Sequence, residues 1–143
     1  MKIFFALILF TLFASCKSLH YTSDNLPEKQ LIIGSEGGFT GFGSEYILCE
    51  SGQVFKRSVA SSKTEEIKIS KKSKVKKLFK NAFEQPWINS EYQNPGNFSS
   101  FMIFKDKNIQ HKFIWTQNDT LINPSVKRLV QEAKELLNQN ADK

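Results

Sequence analysis

This 143-residue chain holds only two cysteines, two histidines and four prolines, and no apolar run in it reaches membrane length. Each shortage closes a class of function. His20 lies in a polar N-terminal stretch and His111 in a strand-like one, so a histidine-rich metal site is excluded and a His–Cys zinc site is not expected. The longest apolar stretch, Ile3 to Phe13, is interrupted only by Thr11. It falls short of the about 20 residues that a bilayer-spanning helix needs. Carboxylates such as Glu36, Glu45, Glu50, Glu65, Glu66, Glu84 and Glu91 are scattered. Glu45 and Glu50 stand five apart in a strand, hence on opposite faces, which argues against an acid–base pair. Gly34, Gly37, Gly38, Gly41 and Gly43 crowd one stretch, but the Lys-Ser/Thr ending of a phosphate loop is missing and no helix pattern follows. A Cys49–His111 dyad is conceivable, although a buried, inert thiol is the plainer reading of Cys49. No catalytic residue, metal or cofactor is expected.

What is present begins with Lys2, the apolar run and the small residues Ala14 and Ser15, the layout of a secretory signal peptide over residues 1–15. Leu12-Phe13-Ala14-Ser15-Cys16 resembles the lipobox of bacterial lipoproteins, with Phe13 where Leu is usual. The resemblance implies cleavage before Cys16, a diacylglyceryl group on its thiol and a palmitate-class acyl chain on its new amine. Asp does not follow Cys16 and no acidic cluster is near, which leans toward the periplasmic face of the outer membrane. Removal of residues 1–15 lowers the net charge from +6 to +5. Residues 16–29 then form the lipidated start and a polar, flexible tether, and residues 30–143 a single domain. With Cys16 lipidated, Cys49 has no disulfide partner.

The fold class expected is α+β: an antiparallel sheet of about six strands in the order β-β-β-β-α-β-β-α, with two amphipathic helices packed on it. Leu31-Ile32-Ile33 opens the first strand, and the glycine-rich bend with Phe39 and Phe42 leads to a hairpin over Glu45–Val59 that turns at Ser51-Gly52. Ser61-Ser62-Lys63 turns into a fourth strand carrying Ile67 and Ile69. Val75, Leu78, Phe79, Ala82 and Phe83 recur at helical spacing, with Ser70 as N-cap. Pro86-Trp87 ends that helix, and Asn94-Pro95-Gly96-Asn97 makes a turn. A second hairpin follows over 98–105 and 109–116, and its return strand, apolar on both faces, is expected to be central. Asn123 caps a last helix with Pro124 at its first position and a stripe of Val126, Leu129, Val130, Ala133, Leu136 and Leu137.

Gly37-Gly38-Phe39-Thr40-Gly41, Glu45-Tyr46, Gly52-Gln53-Val54-Phe55-Lys56 and Asn94-Pro95-Gly96-Asn97 together resemble a family of small lipoproteins of Bacteroidetes-type bacteria that has no established activity. Asp119-Thr120-Leu121 resembles the O-glycosylation acceptor of such bacteria, with Thr120 as the modified residue. The first helix carries Lys71, Lys72, Lys74, Lys76, Lys77 and Lys80, read either as a solvated face or as a contact for an anionic surface. Nucleic acid is not expected, since no aromatics interleave with these lysines. The function expected is a non-catalytic interaction module, lipid-anchored in the envelope and bound to another envelope protein. Phe39, Phe42, Trp87 and Tyr92 mark its contact loops. The alternatives are a periplasmic protease inhibitor and a small-ligand binder, the latter requiring a preformed pocket. The oligomeric state is left open.

Overall fold

A computed structural model describes residues 19–38, 43–58, 61–67, 69 and 71–138. Cys16, Phe39, Phe42 and Ser70 lie outside the described residues. Seven strands form one sheet: β1 (Gln30–Gly37), β2 (Ser44–Leu48), β3 (Val54–Ser58), β4 (Thr64–Ile67), β5 (Tyr92–Asn94), β6 (Phe98–Asp106) and β7 (Ile109–Thr116). Helix α1 spans Lys72–Phe83 and α2 spans Pro124–Asn138, with a 3-10 turn at Pro86–Asn89. The spatial order is β4-β3-β2-β1-β6-β7-β5. The expected α+β class, with an antiparallel sheet and two helices, is what forms. The seventh strand, β5, pairs parallel with β7 at the edge. Three residues ahead of a proline carry too little pattern to announce it. β7 is therefore not central but next to the edge, and β1 takes the middle, with β2 on one side and β6 on the other.

Alternation along the strands builds a core on each face. On the helix face, Leu31, Ile33, Leu48, Val54, Met102, Phe104, Phe113 and Trp115 pack against Val75, Leu78, Phe79 and Ala82 of α1 and Val126, Leu129, Val130 and Ala133 of α2. The outer face holds a smaller cluster of Ile32, Ile47, Cys49, Phe55, Phe101 and Ile114, against which Tyr21 and Leu26 pack. Helix α2 starts as expected: the Asn123 side-chain oxygen accepts from the Ser125 N–H at 2.9 Å, and Pro124 needs no donor there. Helix α1 does not. Its N-cap position is Lys71, without a side-chain capping bond, rather than Ser70.

The segment expected to be a flexible tether is fastened to the domain from Tyr21 onward. The buried Gln53 amide pairs reciprocally with the Tyr21 backbone, accepting from its N–H at 2.8 Å and donating to its carbonyl at 3.0 Å. The Tyr21 hydroxyl donates to Glu50 at 3.1 Å. Pro27 is buried and its carbonyl accepts from Gln30. A polar composition conceals this attachment because its partners lie 29 and 32 residues away.

Candidate functional site

Antiparallel pairing gives the sheet two unlike ends. At one end Leu31 pairs with Leu48 and Gln30 with Lys105, so the β2–β3 turn, the β6–β7 turn and the Tyr21 attachment cluster there. At the other end Ser35 pairs with Ser44 and Gly37 with Phe98, gathering the described glycines Gly37, Gly38 and Gly43 and the start of β6. Eight residues of β1 separate the two ends, about 25 Å.

The glycine-rich end carries the candidate site. Phe98 is 72% exposed, one of four large apolar side chains exposed among the described residues, with Leu19, Ile109 and Leu121. The backbone on either side of it is hydrogen-bonded: the Gly38 N–H donates to the Asn97 carbonyl at 2.7 Å, and Ser99 exchanges hydrogen bonds with the Gly96 backbone. Gly38 has φ +86°, and a Cβ there would come within 2.9 Å of the Phe98 ring, so the close approach requires glycine. Behind Phe98 lies an open cleft of about 520 Å³. Its lining includes the buried Trp115 and Val130, Lys127 and Lys134 of α2, and one carboxylate, Glu36 of β1. Lys127 donates to the Asp119 carbonyl.

Asp119 braces this end from the side. Its buried carboxylate accepts from the Tyr92 hydroxyl at 2.9 and 3.0 Å, the Asn94 amide at 2.7 Å and the Leu121 and Ile122 N–H groups. Partial desolvation pushes the carboxyl up. The hydrogen bonds outweigh it and hold the group below its ordinary value. The same burial and the adjacent carboxylate push the Tyr92 hydroxyl up. Thr120 and Leu121 project outward from this turn, both exposed.

The other sequence-derived candidates fall elsewhere. Trp87 is half-buried and packs edge-on against Phe104 and Phe113, at 5.6 and 5.7 Å between ring centres. Tyr92 is committed to Asp119. Neither lines the cleft; both are taken up by contacts within the fold. Cys49 lies in the outer-face cluster, while His111 sits on the helix face opposite Phe104, which rules out a dyad between them. Burial, with Glu50 and Glu66 adding to it, pushes the Cys49 thiol up to about 12. Among the described residues no three His, Cys, Asp or Glu side chains converge as metal ligands. Lys72, Lys74, Lys76, Lys77 and Lys80 are exposed on α1, and Lys71 is exposed at its N-cap. Phe98 itself was legible only as the residue after Asn94-Pro95-Gly96-Asn97. Asp119 had a clearer signal, a side chain able to cap the two N–H groups ahead of Asn123-Pro124.

No protein family, curated protein or solved structure matches this chain.

Proposed function

We propose that this chain is a lipid-anchored lipoprotein of the bacterial envelope, on the periplasmic face of the outer membrane, working as a non-catalytic interaction module. One observation carries the reading. The N-terminal segment is fastened at one end of the sheet, and the exposed Phe98 with Gly37 and Gly38 stands at the other, about 25 Å away. With Cys16 as the lipid site, four residues link it to Tyr21, a reach of about 15 Å. The anchored end then faces the headgroups and the Phe98 end faces outward, toward a protein partner. An apolar residue on a hydrogen-bonded frame loses little entropy on binding.

The test combines intact mass with crosslinking in native envelopes. Cys16 is expected to carry diacylglyceryl and acyl mass, absent from Cys16→Ala. One stoichiometric partner, a protease among the possible classes, is expected to crosslink to the native protein and to be lost in Phe98→Ser. An unmodified Cys16 refutes the anchor, and a partner retained in full by Phe98→Ser refutes the surface.

The cleft favours a second reading, a small-ligand binder. Its tryptophan and lysines suit a small anionic molecule with an apolar body. In a Trp87→Phe background, the remaining tryptophan, Trp115, reports occupancy by fluorescence, and an unchanged signal across a set of such anions dismisses it. For Thr120, exposed beside the braced Asp119, we propose the glycosylation its triplet suggests. An unmodified peptide from native envelopes removes it.

A further inference from the structure

Helix α1 crosses the anchored end of the sheet. At its start Lys72 lies against Gly52, the neighbour of the Gln53 that fastens Tyr21. At its finish Phe83 meets Phe104 at 5.5 Å and the Lys29 ammonium at 4.4 Å, and both residues belong to the same end of β1 and β6. Its lysines divide by position. Lys74 and Lys77 share a groove with Glu132 and Glu135 of α2. Lys72, Lys76 and Lys80 recur every fourth residue as one stripe on the flank away from α2. No acidic residue interrupts α1. The β6–β7 turn adds Lys105 and Lys107 at this end, against Asp106.

Acids stand at this end too: Glu28 is exposed beside Lys29, and Glu66 pairs with Phe55 on the outer face, opposite the helices. Glu50 accepts from Tyr21 and Glu66 from Gln53, with His20 4.0 Å from Glu66. Lys80 lies 3.7 Å from Glu84 on the exposed surface, which leaves Lys72 and Lys76 as the core of the stripe.

We infer that the Lys72–Lys76–Lys80 stripe of α1 seats on the anionic phospholipid headgroups of the membrane that holds the N-terminus, a second attachment that sets the domain's orientation. This rests on the lipid-anchor reading. It does not need Val75, Leu78 or Phe79 to enter the bilayer, since these stay in the core. The attraction is electrostatic, and lipid chains combined with a basic surface hold a domain where either alone is reversible.

The experiment uses the full-length protein purified with its native N-terminus. It is placed in phosphatidylcholine vesicles with or without 30% phosphatidylglycerol and labelled briefly with an acetylating reagent, each lysine being read by mass spectrometry. Lys72 and Lys76 are expected to label about fivefold more slowly on the anionic vesicles. Lys63 and Lys134, at the glycine-rich end, are expected to label equally on both. The protection should vanish in about 0.5 M NaCl, where the Debye length is roughly 4 Å. Equal labelling of Lys72 and Lys76 on the two vesicle types overturns the inference. So does protection found only in whole envelopes and not in vesicles, which assigns the stripe to a protein. The mass of the Cys16 peptide, read in the same digest, separates these results from failure of the anchor itself.

Discussion

Replacing Gln53 by Ala tests whether the N-terminal segment is part of the domain or a loose tether. The Gln53 side chain substitutes for a neighbouring strand, giving the Tyr21 backbone one donor and one acceptor, and it also donates to Glu66 at 3.0 Å. Each backbone bond has a net worth of about 1 kcal/mol. The Glu66 bond ends on an exposed carboxylate that water can serve, so it adds little. Gln53→Ala therefore lowers the free energy of local opening by about 2 kcal/mol, roughly a thirtyfold rise in the opened population. Hydrogen exchange of the Tyr21 amide should accelerate by that factor. Amides of Ile33 and Met102 in the central strands, which open only with the whole domain, should change much less. Unchanged exchange at Tyr21 would refute the clamp. Acceleration shared equally by Ile33 would show instead that Gln53 supports the global fold.

Three further outcomes follow from the same contacts. Gly52 has φ +83°, and a Cβ there would sit 2.6 Å from the Lys72 carbonyl oxygen, so Gly52→Ala should cost about 2 kcal/mol or more in denaturant unfolding; a neutral result would mean that α1 shifts freely. The Asp119 carboxyl is held below its ordinary value, so its bonds stabilise the fold above the unfolded pKa, and that contribution is lost as pH falls through the lower folded value. Thermal melts from pH 6 to pH 2 should steepen in slope below about pH 4 in the native protein and flatten in Asp119→Asn; parallel curves would refute this. The Cys49 thiol, buried and pushed up to about 12, should resist iodoacetamide at pH 8 while folded and react once the chain is unfolded in urea; rapid labelling of the folded protein would contradict that burial.

The fold was legible where a period and a boundary coincided. In α2, the Asn123-Pro124 start and a stripe from Val126 to Leu137 agree on one helix, and the cap forms as read. In α1 the stripe was sufficient although its cap was not: Lys71 occupies the N-cap position without a side-chain bond, so packing of Val75, Leu78, Phe79 and Ala82 holds the helix. β5 escaped because strand pairing is a property of two segments. Tyr92, Gln93 and Asn94 look like a polar loop, and only their alignment with Phe113, Ile114 and Trp115 makes them a strand. β7 was misplaced for a related reason. Its apolar residues on both faces are met by the helices on one side and by the outer-face cluster on the other, without a long strand at its edge.

The site was less legible because it depends on which end of the sheet each turn reaches. Trp87 and Tyr92 attracted notice as aromatics in a polar stretch, yet Phe104, Phe113 and Asp119 take them up internally. Phe98 looked like an ordinary strand opening, and its 72% exposure goes with its position: it pairs with Gly37, the last residue of β1, at the rim of the cleft that α2 also lines. The polarity of β1 does the rest. Because β1 begins beside the Tyr21 clamp, everything joined to its start lies at the fastened end, including the β2–β3 turn and α1. Everything joined to its finish lies at the other, including Phe98 and the cleft. The lysine stripe and the exposed phenylalanine therefore stand toward opposite ends of the sheet, the separation that the proposed membrane contact and the proposed partner surface both require.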